Sequence, residues 1–133
     1  MDLAKLDLTE HANNGATMDV MHPITGEPLL DANGFPVTVT LLGADSTKMR
    51  QEMSNRAKKQ LASKSKPVNN IEEAEKLSAE LLAVITVSWS GITENGQEIE
   101  CNRENAINIY TKYSWLRQQV DAFTTDRANF YKA

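Results

Sequence analysis

The chain is poor in cysteine and in aromatic residues. Cys101 is the only cysteine among its 133 residues, and 6% of the residues are aromatic. One cysteine excludes a disulfide within the chain, which is typical of proteins that fold in a reducing compartment. Hydrophobic residues at 41% and charged residues at 24% are nevertheless typical of a folded globular domain.

A long apolar run is also missing. The longest run, residues 81–85 (LLAVI), is far shorter than the roughly 20 residues of a membrane-spanning helix. Residues 1–7 alternate charged and apolar side chains, which argues against a secretory signal. We therefore expect no membrane partner and a location in the cytosol of the cell that makes the protein.

Motifs for metal, nucleotide or nucleophile chemistry are not found. His11, His22 and Cys101 lie in separate segments, without the short spacings that build a zinc site. Residues 31–34 (DANG) begin like a calcium loop but lack its later glutamate, and residues 43–48 (GADSTK) lack the second glycine of a phosphate loop. A hairpin turn and a helix cap are the better interpretations. We expect no catalytic residue, no metal and no cofactor, and therefore not an enzyme.

Turn-forming residues are concentrated in the first third of the chain. Residues 23–26 (PITG) and 33–34 (NG) predict two turns, because proline fixes φ and glycine accepts positive φ. Residues 17–21 and 36–41 alternate in polarity, and the second segment is mostly β-branched, as in a strand pair. Residues 1–43 are thus predicted to be an N-terminal segment with a β-ribbon.

After Gly43 the apolar period becomes that of a helix, which Asp45 or Ser46 can cap. Four residues at intervals of four form one apolar stripe on this first helix: Met49, Met53, Ala57 and Leu61. Asn70, with Glu73 three residues later, predicts the start of a second helix. Its apolar period runs unbroken to Ile85, so we favour helix over strand for the β-branched residues 84–87.

The remaining residues predict a small hairpin at Asn95 and two more helices, which Asn102 and Ser114 can cap. Apolar spacing in these helices predicts a core of Ile107, Tyr110, Trp115, Leu116, Val120 and Phe123. The fold class expected for residues 1–133 is one α+β domain, mostly α. It has the N-terminal β-ribbon followed by about four helices in residues 44–133.

Charge is distributed unevenly between the first two helices. Residues 48–66 hold seven basic residues and one acidic residue, whereas residues 72–80 hold four glutamates and one lysine. Two solvated faces that attract each other, or a neighbouring copy, explain this pattern best. A basic patch for nucleic acid and a surface for an acidic protein are the alternatives. The net charge of −4 and the lack of interleaved aromatics argue against nucleic acid.

Two blocks of sequence resemble a known family. The first comprises residues 22–28 (HPITGEP) and 42–46 (LGADS), and the second is spread over residues 89–92, 96, 102–106, 115–120 and 127–130. Their order and spacing resemble the tail assembly chaperones of long-tailed, siphovirus-type bacteriophages. The chain departs from that pattern at Ser114, where a proline often precedes the tryptophan.

The resemblance implies a non-enzymatic protein of the host cytoplasm, made late in infection. Such proteins bind the long helical tape measure protein and promote assembly of the tail tube around it. Many are also made in a longer, frameshifted form, through which the tail tube protein would be a second partner. The alternatives are a structural tail component retained in the virion and a nucleic-acid-binding accessory protein.

A partner-binding surface is expected on the first helix. Methionine suits a surface that adapts to apolar helices, because its side chain is flexible and polarizable. The candidate residues are Met49, Met53, Leu61, Lys58 and Lys59. Simple core packing is the alternative for the two methionines. Copies are also expected to associate into homo-oligomers, through the edges of the ribbon or through the oppositely charged helices.

Overall fold

The computed structural model describes residues 1–63 and 70–131. A 3₁₀ turn at Leu3–Leu6 is followed by α1 (Thr9–Asn14), β1 (Ala16–Asp19), β2 (Thr38–Leu41), α2 (Thr47–Ser63) and α3 (Ile71–Val84). Then come β3 (Thr86–Ser90), β4 (Thr93–Glu94), β5 (Gln97–Glu98), α4 (Arg103–Lys112), α5 (Ser114–Thr125) and a 3₁₀ turn at Arg127–Asn129. Helix therefore predominates in this part of the chain, as the sequence predicts.

The predicted β-ribbon is present. β1 and β2 are antiparallel, with Ala16 opposite Leu41 and Asp19 opposite Thr38. Between them the chain makes both predicted turns, at Gly26 (φ +73°) and at Gly34 (φ +83°). The Gly26 N–H donates to the His22 carbonyl at 2.9 Å, and the Gly34 N–H donates to the Asp31 carbonyl at 3.0 Å.

The prediction that the second helix continues through residue 87 is wrong. α3 ends at Val84, and β3 pairs antiparallel with β2, so the sheet has the order β1–β2–β3. β-branched side chains favour an extended backbone, and β2 offers an unpaired edge at this point. The hydroxyl of Thr86 donates to the Leu82 carbonyl at 2.8 Å, where the helix gives way to the strand.

α1 is a helix that the sequence did not predict within residues 1–43. It packs against the chain at Gly43, whose N–H donates to the Ala12 carbonyl at 3.0 Å. A Cβ on Gly43 would lie 2.8 Å from the Cβ of Ala12, so only glycine fits this contact. Asn13 then accepts a hydrogen bond from the Thr47 N–H at 2.8 Å, which ties α1 to the start of α2.

Three of the four predicted helix caps are present. The oxygen of each capping side chain accepts the backbone N–H three residues later, at 2.8 to 3.3 Å: Ser46, Asn70 and Asn102. The predicted cap at Ser114 is wrong, because α5 begins at Ser114 itself and Tyr113 holds the N-cap position without a side-chain hydrogen bond. Tyr113 alone separates α4 from α5, and its non-helical backbone (φ −109°, ψ 84°) makes it the N-cap in place of Ser114.

The core lies between the sheet and helices α3, α4 and α5. Its largest fully buried side chains include Tyr110, Leu41, Ile85 and Val120. The predicted core residues Leu116, Val120 and Tyr110 are buried, whereas Trp115 is only half-buried. None of the helices in the described ranges is both long and apolar enough to cross a membrane.

Candidate partner-binding groove

An open apolar groove of about 550 Å³ lies between α2, α3 and α5. Met49 and Met53 form the α2 wall, and Leu77 and Leu81 lie on the α3 wall. The other lining residues are small or polar: Ala44, Ala74, Ser78, Asp121, Thr124 and Thr125, together with Leu82. The groove is therefore mainly apolar, with the carboxylate of Asp121 and the hydroxyl groups of Ser78, Thr124 and Thr125 among its lining groups.

The methionine stripe predicted from the sequence is divided between two environments. Met49 is 7% exposed and belongs to the hydrophobic core, whereas Met53, one turn later, is 55% exposed. The core interpretation is therefore correct for Met49 and does not hold for Met53. This difference arises because α2 leaves the domain as it proceeds, so that successive members of the stripe lose contact with the core.

Further along α2, Ala57 and Leu61 continue the stripe into solvent. Leu61 is 80% exposed, and Ala57 is also exposed. The first turns of α3 are exposed as well, and Ile71 is 77% exposed. A single exposed leucine or isoleucine is common on protein surfaces. Here exposed apolar residues occur on two neighbouring helices, in the later turns of α2 and the first turns of α3. Exposed apolar side chains thus follow the groove residue Met53 along α2, and the start of α3 carries another at Ile71.

Ion pairs connect the basic helix α2 to its neighbours. Arg56 donates to Glu52 and to Glu80 of α3, both at 2.9 Å, and Arg103 of α4 lies 3.4 Å from Glu52. The expected attraction between the oppositely charged helices is therefore made within one chain. Lys58 and Lys59 are exposed, and neither forms an ion pair with a residue in the described ranges.

A second apolar pocket, of about 320 Å³, lies between the turns of the β-ribbon, the β4–β5 hairpin and the start of α5. Trp115 lines it with Val20, Leu29 and Ile92. The tryptophan thus lies beside the ribbon turns and the hairpin, and its ring centroid is 6.4 Å from that of Tyr113. Nearby, Glu94 accepts hydrogen bonds from Tyr113 and Lys112, and these lower the pKa of its carboxyl group.

The two histidines and the cysteine have different surroundings in the structure, and they are also far apart in sequence. Nδ1 of His22 accepts the N–H groups of Ile24 and Thr25, and the His11 ring packs against Tyr131 with centroids 5.0 Å apart. Burial raises the pKa of the half-buried Cys101 thiol. Within residues 1–63 and 70–131 no group of three or more histidine, cysteine or acidic side chains could hold a metal ion.

Sequence reasoning identified apolar residues on the α2 and α3 walls of the groove and missed the α5 wall. Met53 was a candidate, and the helical period had already placed Leu77 and Leu81 on the apolar side of α3. Asp121, Thr124 and Thr125 of α5 had no sequence signal, because polar residues near a helix end are typical of any solvated surface. Lys58 and Lys59 lie outside the groove, beside Arg56, Asn55 and Arg103.

No protein-family model, no curated protein and no solved structure matches this chain. The groove and the sequence pattern therefore carry the functional argument on their own.

Proposed function

We propose that this protein is a non-enzymatic tail assembly chaperone of a long-tailed bacteriophage, which binds the tape measure protein in the host cytoplasm and promotes assembly of the tail tube. The order of sequence blocks in residues 22–46 and 89–130 supports the proposal. The observation that carries it physically is the open groove with Met53 on its wall, followed along the same helix by the exposed Leu61.

The groove suits a helix as its occupant. An amphipathic helix binds a groove through apolar residues one turn apart, and Met53 on the α2 wall with Leu77 and Leu81 on the α3 wall offers such a surface. Methionine adapts to different apolar side chains, which a protein that binds many segments of one long helix requires. A tape measure protein without its tube would expose apolar surface and aggregate, and the groove would cover that surface.

The nucleic-acid alternative has weaker support. Lys58, Lys59, Arg56 and Arg103 lie together, but Glu52 lies among them and accepts from both arginines. A carboxylate in the middle of a basic patch opposes the approach of a phosphate backbone. A structural component retained in the virion remains the other alternative, and analysis of purified particles would detect it.

Co-expression tests the chaperone proposal. The very long open reading frame expected just downstream of the gene would supply the tape measure protein. We expect it to be insoluble alone and soluble when expressed with this protein, and to co-purify with several copies of it. The chaperone proposal is wrong if co-expression with the wild-type protein leaves the tape measure protein insoluble and unbound.

A matched pair of variants locates the binding surface. Met53→Glu with Leu61→Glu places charge on two exposed apolar residues, so the fold should survive while solubilisation is lost. Leu3→Glu with Ile24→Glu is the control, because these residues are equally apolar and are 69% and 88% exposed on other surfaces. Circular dichroism checks the fold of both. Loss of solubilisation in the control as well would exclude the groove as the specific site.

A further inference from the structure

The outer halves of α2 and α3 form a projecting pair of helices with opposite charge. Residues 57–62 of α2 and residues 70–76 of α3 are exposed throughout, whereas the inner halves supply Met49, Ala79 and Leu82 to the core. We use the term arm for residues 53–62 and 70–77. The arm ends in basic side chains on α2 and in acidic side chains on α3.

Apolar residues of the arm remain uncovered within one chain. Met53, Leu61 and Ile71 are 55%, 80% and 77% exposed. Removal of such side chains from water favours association, so a second surface that covers all three would be held by the hydrophobic effect. Charge then decides which surface can do so.

The arm is self-complementary in charge. Lys58 and Lys59 on α2 form no ion pair with a described residue, and the same is true of Glu72 and Glu73 on α3. Packing α2 against α2 of another copy would bring like charges together. Packing α2 against α3 of another copy instead brings the two lysines towards the two glutamates, and a two-fold axis along the arm makes this contact twice.

We propose that two copies of this chain associate through their arms as a four-helix bundle, with α2 of each copy beside α3 of the other. In such a bundle the apolar residues of the four helices face inward and the charged residues pair at the edges. Because Met53 belongs to both the arm and the groove, the dimer covers part of the groove. One consequence rests on the proposed function. The dimer protects the groove until a partner helix displaces the second copy.

Sedimentation of the purified protein alone tests the association, without any tape measure protein. We expect a monomer–dimer equilibrium, which Leu61→Glu shifts to monomer while the circular dichroism spectrum is unchanged. Lys58→Glu with Lys59→Glu should weaken the dimer by at least about tenfold, and so should Glu72→Lys with Glu73→Lys. A strict monomer at all concentrations in low salt would overturn the proposal.

Mixing the two charge-reversed proteins gives the decisive result. In the mixed pair both α2–α3 contacts again join opposite charges, so a heterodimer should form with about the affinity of the wild-type dimer. Glu98→Lys with Glu104→Lys is the matched control for Glu72→Lys with Glu73→Lys. It makes the same change in net charge at exposed residues outside the arm. A control that loses the dimer equally, or a mixture that stays monomeric, would overturn the proposed pairing. Neither result depends on the chaperone function.

Discussion

Nη1 of Arg56 lies 2.9 Å from Oε2 of Glu80, so an ion pair joins the two walls of the groove. The same guanidinium donates through Nε to Glu52, one turn earlier on its own helix. Both carboxylates and the guanidinium are partly shielded from water, with side chains 20% to 31% exposed. Arg56 therefore fixes α2 against α3 at the level where α2 begins to leave the core.

Replacing Arg56 with alanine should lower the free energy of unfolding by about 0.5–1.5 kcal/mol, because it removes two partly shielded ion pairs. Lys59→Ala removes an exposed charge that forms no ion pair with a described residue, and it should change the free energy of unfolding by less than about 0.5 kcal/mol. Urea denaturation measures both values. The difference between the variants should shrink when sodium chloride is raised from low to high concentration, since salt screens exposed charges. Equal losses in both variants would contradict this role of Arg56.

Trp115→Ala should cost about 1–3 kcal/mol, because the tryptophan is half-buried beside the pocket under the ribbon. Tyr110→Ala should cost more, about 3–5 kcal/mol, since Tyr110 is fully buried and its hydroxyl is hydrogen-bonded to Thr86. Chemical denaturation of the two variants at one temperature compares them directly. A loss at Trp115 as large as that at Tyr110 would mean that the tryptophan belongs to the central core.

Stability should depend on pH through Asp45 and Arg127. A hydrogen bond from Arg127 lowers the pKa of the Asp45 carboxyl group, and Nε of Arg127 lies 2.6 Å from Oδ2 of Asp45. Because the pKa is lower in the folded state, the pair stabilises the protein fully above the unfolded pKa of about 3.9, and this contribution disappears as the pH falls through the folded pKa.

Comparison of wild type with Asp45→Asn measures this effect. The wild type should be more stable above about pH 5, and the difference should narrow steadily below about pH 4. Arg127 is largely exposed, so high salt should also reduce the difference. A difference that stays constant down to pH 2 would show that the carboxylate charge of Asp45 is not responsible.

Local features of the structure could be predicted from the sequence because their causes lie within a few residues. Asn70 and Asn102 cap helices through N–H groups three residues away, and Gly26 and Gly34 supply the positive φ of the two ribbon turns. The hairpin around Asn95 and Gly96 likewise follows from the positive φ of both residues. Each of these elements depends on the conformational preference of one residue and on a hydrogen bond nearby in the chain.

Where a segment had two suitable conformations, the tertiary structure decided. Residues 84–87 suit a helix by their period and a strand by their branching, and the free edge of β2 made residue 86 the start of a strand. The sequence likewise determined the apolar stripe on α2 by its spacing alone, but it did not determine which members are buried. Met49 is in the core and Met53 is on the surface because the rest of the domain buries the start of α2 and leaves its later turns largely exposed. Burial depends on what a distant segment places against a helix, and spacing along one helix carries no information about that.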